Sequence, residues 1–230
     1  MAAMELDHFH GVDVSKWNGN VRWGNVDQDH CQYVWAKMSQ GRDFYDKARE
    51  HNLEGCRAHG IPIGGYHFPS PHIGVSSKDP RLEVEQFLRA LGPIQSGDML
   101  PVLDLEAGIK GDPDHNRQWA LEFLQEFEGE TGLRCVVYTA KWFVYSYLKN
   151  DVGALKDYPL WIADYTKRGT TAVSADVQHE PDVLPGWEQW SAWQWTGHGY
   201  VRGLDETGIR RCDRNIIPGG ACAFNNLKVK

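Results

Sequence analysis

The 230-residue chain reads as an α/β protein, a modified TIM-like β/α barrel of about eight strands with few helices in its second half. Three observations predict this. Short apolar or β-branched runs recur along the chain; stretches with helical spacing separate the first five of them; and after Tyr165 Pro, Gly and polar residues take over, with no long amphipathic pattern. Strands are expected at Gly11 to Val14, Tyr33 to Met38, Ile63 to His67, Leu100 to Leu105, Arg134 to Tyr138, Leu160 to Ala163, Ser191 to Trp195 and Arg211 to Asp213. Helices are expected from Phe44 to His59, stopped by Gly60 and Pro62; from Pro80 to Leu91, stopped by Gly92-Pro93; from Asp114 to Thr131, stopped by Gly132; and after Ala140 through Tyr147. The segment from Thr166 to Glu188 and the tail after Asn215 carry no usable pattern.

Hydrophobic residues make up 41% of the chain and charged residues 24%, which suits one sizeable core, so residues 1–230 are read as a single barrel domain. The formal net charge of -7 argues against a nucleic-acid partner, because no stretch gathers enough Lys and Arg to neutralise a run of phosphates. No run approaches the length of a membrane span, and Met-Ala-Ala-Met-Glu-Leu-Asp-His-Phe-His at the start has no basic segment followed by an apolar one. The five cysteines, odd in number and without close pairing motifs, read as reduced thiols, although Cys212 and Cys222 leave a local bridge open. The 10 Trp suit stacking on sugar rings as well as core packing.

Chemistry is most concentrated at Asp104-Leu105-Glu106, which ends the run Met99-Leu100-Pro101-Val102-Leu103. Carboxylates at i and i+2 of a strand point the same way, about 7 Å apart at their Cα atoms. Like charges that close cannot both ionise freely, so one is expected to hold a proton while the other stays anionic, a division that suits glycosidic bond cleavage. In a β/α barrel the catalytic groups sit at the C-terminal strand ends. Asp13 falls there on the first strand, Lys37 and Ser39 on the second, Tyr66 and His67 on the third, then Tyr138, Asp164, Trp193 with Gln194, and Asp213 on later strands.

These residues sit within segments that resemble the glycoside hydrolase family 25 muramidases, the Chalaropsis-type lysozymes: Gly11-Val-Asp-Val-Ser-Lys-Trp, Gly65-Tyr-His-Phe, Pro101-Val-Leu-Asp-Leu-Glu, Val137-Tyr-Thr, Leu160-Trp-Ile-Ala-Asp-Tyr, Trp190-Ser-Ala-Trp-Gln-Trp and Cys212-Asp-Arg-Asn, in that order. The resemblance implies hydrolysis of the β-1,4 bond from N-acetylmuramic acid to N-acetylglucosamine in peptidoglycan. It implies Glu106 as general acid, Asp104 as its partner, Asp13 and Asp213 as two further acids, and Tyr66, Tyr138, Asp164 and Trp193 as groove-lining groups; Gln194, beside Trp193 at its strand end, joins them as a substrate-binding candidate. No cofactor or metal is implied. One departure stands out: the second strand ends Lys37-Met-Ser-Gln-Gly41 where relatives commonly have Lys-Ala-Thr-Glu-Gly, so neutral Gln40 replaces a carboxylate.

Two competing functions are weighed. His8-Phe-His10, with His67, could begin the ligand set of a metal-dependent barrel hydrolase, but Tyr138, Asp164 and Gln194 do not continue the series. A non-catalytic carbohydrate-binding barrel would have no need of Asp13, Asp104, Glu106 and Asp213 together. The expected partner is a peptidoglycan glycan strand, met by a single copy of the chain without membrane insertion. The expected setting is a bacteriophage endolysin held in the host cytoplasm before release to the cell wall, or an extracellular enzyme if a signal peptide was removed.

Overall fold

The computed structural model describes residues 8–70, 79–165, 180–204 and 211–230. The stretch before His8 and the pattern-free segment from Thr166 to His179 lie outside the described residues. The chain runs β1 (His8–Val14), β2 (Tyr33–Gln40), β3 (Phe44–Tyr45), α1 (Arg49–Ala58), β4 (Ile63–Phe68), α2 (Arg81–Leu91), β5 (Val102–Asp104), α3 (Pro113–Thr131), β6 (Val136–Ala140), α4 (Lys141–Tyr147), β7 (Leu160–Ala163), β8 (Ala192–Gly199), β9 (Cys212–Pro218) and α5 (Gly220–Asn226). The sheet order is β1-β9-β8-β7-β6-β5-β4-β2-β3, and a further β1–β2 pairing closes eight of these strands into a barrel, leaving β3 as a short addition to β2.

All expected strands are present, β7 to the residue and the others with shifted ends, and two features depart from the sequence reading. The last strand is not a parallel one ending at Asp213: β9 starts at Cys212 and runs antiparallel to both β8 and β1. An antiparallel neighbour needs no crossover helix, which accounts for the missing helical pattern before it. The helix expected from Phe44 begins only at Arg49, because Phe44–Tyr45 pair with β2 and the buried Asp46 carboxylate then accepts the N–H groups of Ala48 and Lys16 at 2.9 and 3.2 Å. The other helix ends follow local chemistry. Asp112 caps α3 by accepting from His115 N, Pro113 opens it, and Gly132 closes it in the left-handed conformation at φ 71°.

Strand alternation sorts the apolar residues into two separate clusters. Val12, Val34, Ala36, Leu103, Val137, Ile162, Trp193 and Ile216 form the outer wall, packed against Val84 and Phe87 of α2 and Trp119, Phe123 and Phe127 of α3. Tyr33, Trp35, Val102, Val136, Trp161, Ala192 and Ile217 fill the barrel interior with Phe224 and Leu227 from the C-terminal segment. That segment closes the barrel bottom: the Phe224 ring stacks on Phe9 at 4.1 Å, and Leu100 N donates to Leu227 O at 2.8 Å. All five cysteines are free, four of them buried and Cys222 exposed, so the Cys212–Cys222 bridge is not formed. Among the described residues no helix is long and apolar enough to cross a membrane.

Interior space is shared by pairing the largest side chains with glycine. Gly11 stands in register with Tyr33, and Gly64 with Trp35. A Cβ on Gly11 would overlap the Tyr33 ring, and one on Gly64 would lie 2.8 Å from both Trp35 and the carbonyl of Met99. Gly11→Ala or Gly64→Ala is therefore expected to lower stability by about 1–3 kcal/mol, the usual cost of overpacking. Gly129→Ala, on an exposed position of α3 with open space around it, is expected to gain up to about 1 kcal/mol from helix propensity. Urea unfolding midpoints measure both; an interior alanine with unchanged stability would mean that the barrel does not pack as described.

Candidate active site

Asp13 lies one residue from the end of β1, Tyr66 near the end of β4, Asp104 at the end of β5, Tyr138 on β6, Trp161 on β7 and Gln194 on β8. All face the interior at the same end of the barrel, where with Glu106, Tyr165 and Asp213 they line a cavity of about 200 Å³. Asp213 reaches this mouth from the start of its strand, because β9 runs the opposite way and brings it directly opposite Asp13 in the register. Seven of the residues proposed from sequence thus meet in one volume: Asp13, Tyr66, Asp104, Glu106, Tyr138, Gln194 and Asp213. Asp164 lines the adjoining groove, of about 820 Å³, which shares Glu106, Tyr138 and Tyr165 with the cavity.

Trp193 does not join them. Neighbouring residues of a strand face opposite sides, so with Gln194 turned inward Trp193 is buried in the outer wall. Its Nε1–H donates to the carbonyl of Asp164 at 2.8 Å, supporting the groove from behind. Ser39 and His67 also face outward: Ser39 Oγ lies 2.8 Å from His67 Nδ1, and His67 Nε2 lies 2.9 Å from Glu83 of α2. Burial lowers the pKa of His67, so the neutral ring donates through Nε2 to the Glu83 carboxylate and accepts the Ser39 hydroxyl at Nδ1. His8 and His10 stand at the opposite end of β1 from Asp13, so the three histidines of the metal reading do not converge. Among the described residues no group of three His, Cys, Asp or Glu could hold a metal ion.

The sequence reading missed Trp161, Tyr165 and Asn215. Stepping by two along each strand would have found them: Asn215 follows Asp213 on the inward face of β9, and Trp161 precedes Ala163 on that of β7. They complete a hydrogen-bond network around Asp13. Asp13 Oδ2 accepts from Gln194 Nε2 at 2.9 Å and from Asn215 Nδ2 at 2.8 Å. Gln194 Oε1 accepts from the hydroxyls of Tyr138 and Tyr165, each at 2.8 Å, and Asn215 Oδ1 accepts from Trp161 Nε1 at 3.0 Å.

Burial pushes all four acids above the usual carboxylate range. Asp13 is raised only to about 6, because the two amides oppose its desolvation. Asp104 is raised well above that range by burial and then by the charge of Glu106, and Asp213 by burial and then by Asp13 and Glu106. Glu106 is raised by burial and by Asp13. Both members of the Asp104–Glu106 pair are thus raised, because desolvation acts on each before any neighbouring charge does. Lys37 opposes the rise at Asp104 and Glu106 and donates to neutral Gln40 at 2.8 Å, leaving its charge facing the acids.

Raised carboxylates weaken the fold as pH rises. The unfolded chain releases these protons near pH 4 while the folded chain still holds them, so stability present below pH about 4 is lost progressively up to the folded values. Asp213→Asn removes one such group and relieves the opposition to Asp13. Its melting temperature should exceed that of the parent by about 2–4 °C at pH 7 for each ~1 kcal/mol relieved, with the gain shrinking towards pH 4. A gain equal at both values would show that repacking, not charge, is responsible.

Known proteins share the sequence pattern and the fold of this chain. The description of glycosyl hydrolases family 25 matches residues 12–204, ending before Asp213 and Asn215. The uncharacterised protein YegX of Escherichia coli strain K12 is 27% identical over 201 residues, covering 85% of this chain and 66% of YegX. Lysozyme M1 of Streptomyces globisporus is 27% identical over 222 residues, covering 92% of this chain and 68% of the relative. The chain therefore spans about two thirds of the length of these relatives. Two solved structures share the fold: a bacterial lysozyme of Streptomyces coelicolor, at 23% identity, 96% of each chain and TM-score 0.79, and a family GH25 lysozyme of Aspergillus fumigatus, at 21% identity, 97% of this chain, 100% of the other and TM-score 0.77. With the family's pattern running through most of its length, the chain belongs to the glycosyl hydrolases of family 25.

Proposed function

We propose that this chain is an N-acetylmuramidase that hydrolyses the β-1,4 bond from N-acetylmuramic acid to N-acetylglucosamine in peptidoglycan. The observation that carries the reading is the convergence of Asp13, Asp104, Glu106 and Asp213 on one cavity that opens into an aromatic groove. The groove is lined by Trp142, Tyr145 and Tyr165, which are 50%, 67% and 39% exposed, faces on which sugar rings can stack. The endolysin setting, with one copy acting alone on a glycan strand, belongs to the same proposal. Mass spectrometry of muropeptides after digestion of purified peptidoglycan tests the reading: reducing-end N-acetylmuramic acid is expected, and reducing-end N-acetylglucosamine or freed amino groups would overturn it.

Glu106 lines both the cavity and the groove and is half-buried, so it can reach a glycosidic oxygen lying across the mouth. Its raised pKa keeps a proton available for the leaving oxygen. Asp104 lies deeper, and its Oδ1 has no hydrogen-bond partner among the described residues. An acetamido N–H of the muramic acid donating to that oxygen, with Lys37 nearby, would favour the Asp104 anion once substrate is bound. The acetamido oxygen then attacks the anomeric carbon as the C–O bond breaks and Glu106 protonates the departing sugar. Water, losing its proton to the Glu106 carboxylate, attacks the same carbon, opens the cyclic intermediate and restores the β configuration. A second reading, direct displacement by water with inversion, is favoured by the state of Asp13, the acid whose anion is best supported.

Glu106→Gln is expected to keep the fold and lose about 10²- to 10⁴-fold in rate, as for removal of a general acid. Near-normal wall lysis by the folded variant would remove Glu106 from this role. Asp104→Asn should also lose activity heavily although the proton donor remains, and proton NMR of the first-formed product should show the β-anomer. The α-anomer would exclude participation of the acetamido group and leave the water-displacement reading.

A further inference from the structure

The carboxyl groups of Asp13 and Asp213 face each other across β1 and β9, yet their surroundings are unequal. Both amide donors, Gln194 Nε2 and Asn215 Nδ2, go to Asp13 Oδ2, and neither goes to Asp213. The direction of each amide is fixed by its other end. An indole N–H can only donate, so Trp161 obliges the Asn215 oxygen to face it and turns Nδ2–H towards Asp13. Tyr138 and Tyr165 each donate a hydroxyl to the Gln194 oxygen, which leaves its Nε2–H for Asp13. Asn215 and Trp161 are themselves fully buried, so the arrangement cannot turn over by exchanging partners with solvent.

We propose that Asn215, oriented by Trp161, is a positioning residue whose Nδ2–H keeps Asp13 anionic in preference to Asp213, and that this buried anion holds the transferable proton on Glu106. The inference rests on the proposed hydrolase chemistry of the same site but assigns a residue outside the acid set. The acidic groups facing Asp13 are Asp213 on β9 and, from the end of β5, Asp104 and Glu106. Tyr33, Tyr66, Tyr138 and Tyr165 face it as phenols whose pKa is raised by burial, so they remain neutral across the working range. Lys37 lies on the side of Asp104 and Glu106, where its charge favours their anions. Against that set of acids, donated hydrogen bonds distinguish Asp13 from its neighbours. An Asp13 anion disfavours a second negative charge at Glu106, so the proton stays on the residue that must give it up.

The test is the pH dependence of wall lysis by Asn215→Leu, a variant of similar volume without the donor. Losing a hydrogen bond to a charged group should raise Asp13 by about one pH unit, let it take the shared proton from Glu106 and move the alkaline limb of the rate profile down, a loss of up to about tenfold on the alkaline side with the acid side little changed. If Asn215→Leu does not fold, as judged by near-ultraviolet circular dichroism, Gln194→Met removes the other donor and is read the same way. Carboxyl carbon NMR of aspartate-labelled protein gives the matching direct measurement: Asp13 should titrate below Asp213 in the parent, and the gap should narrow in the variant. A uniform rate loss with an unmoved limb, or Asp213 titrating first in the parent, would overturn the proposal. Failure of the muramidase reading itself would appear separately, as the wrong reducing-end sugar from the unaltered protein.

Discussion

Side-chain alternation in a closed barrel is the constraint on which the rest of this structure depends. Once β1 pairs with both β2 and β9, no strand of the eight has a free edge or a solvent-facing side, and every residue belongs either to the interior or to the outer wall. A one-residue slip of β1 would send Asp13 into the helix layer and Val12 into the cavity, so the register is fixed by the apolar sets on both faces. The same rule brings Asp13, from the first strand, against Asp213, from the last. Tyr33 and Trp35 help to hold that register by filling the space left by Gly11 and Gly64 on the neighbouring strands.

The interior is divided by depth. Large apolar side chains and the C-terminal segment seal the bottom, while the acids are confined to the mouth. Gathering four carboxylates there opposes folding, because each loses water and feels the others. Such strain is tolerated when the remaining structure supplies the stability, and here two apolar clusters flank the same strands. The compensation within the mouth is uneven: Asp13 has two amides, Asp104 and Glu106 have the field of Lys37, and Asp213 has neither amide. Because Gln40 is neutral, it holds the Lys37 ammonium without cancelling its charge.

Much of this was legible in the sequence for a physical reason. Period-two patterns with Gly and Pro stops report strands and helix ends directly, and they located β7 to the residue and the Asp104–Glu106 pair at the mouth. What escaped depended on partners distant in sequence. Nothing near Cys212 says that its strand runs antiparallel, since direction is set by the pairing with β1 and β8. Trp193 and Gln194 are neighbours near the start of β8, and only the inward commitment of Gln194 to Asp13 shows that Trp193 must face out. Asn215 lay beyond the expected end of the last strand and drew no role, because its two partners, Trp161 and Asp13, lie far away in the chain. The delayed start of α1 has a more local cause: a buried aspartate that binds backbone N–H groups ends a helical pattern that side-chain spacing alone would extend.

Depth also orders the charges in a way that fits acid catalysis on a polymer. A glycan strand is too long to enter the cavity, so its bond must be met at the rim, where Glu106 is the acid shared by cavity and groove. A donor at the rim is partly solvated and would ordinarily lose its proton near pH 4, well below neutrality. Burial of its carboxyl and negative charge behind it together hold the proton there, and negative charge in a buried place requires donors of its own. Asp13 meets both conditions, because the strand that faces it carries Asn215 two residues beyond Asp213, on the same inward side. The alternation that builds the cavity therefore also places the anion beneath the acid, and the tryptophan and tyrosines around it act by fixing which way two amides point.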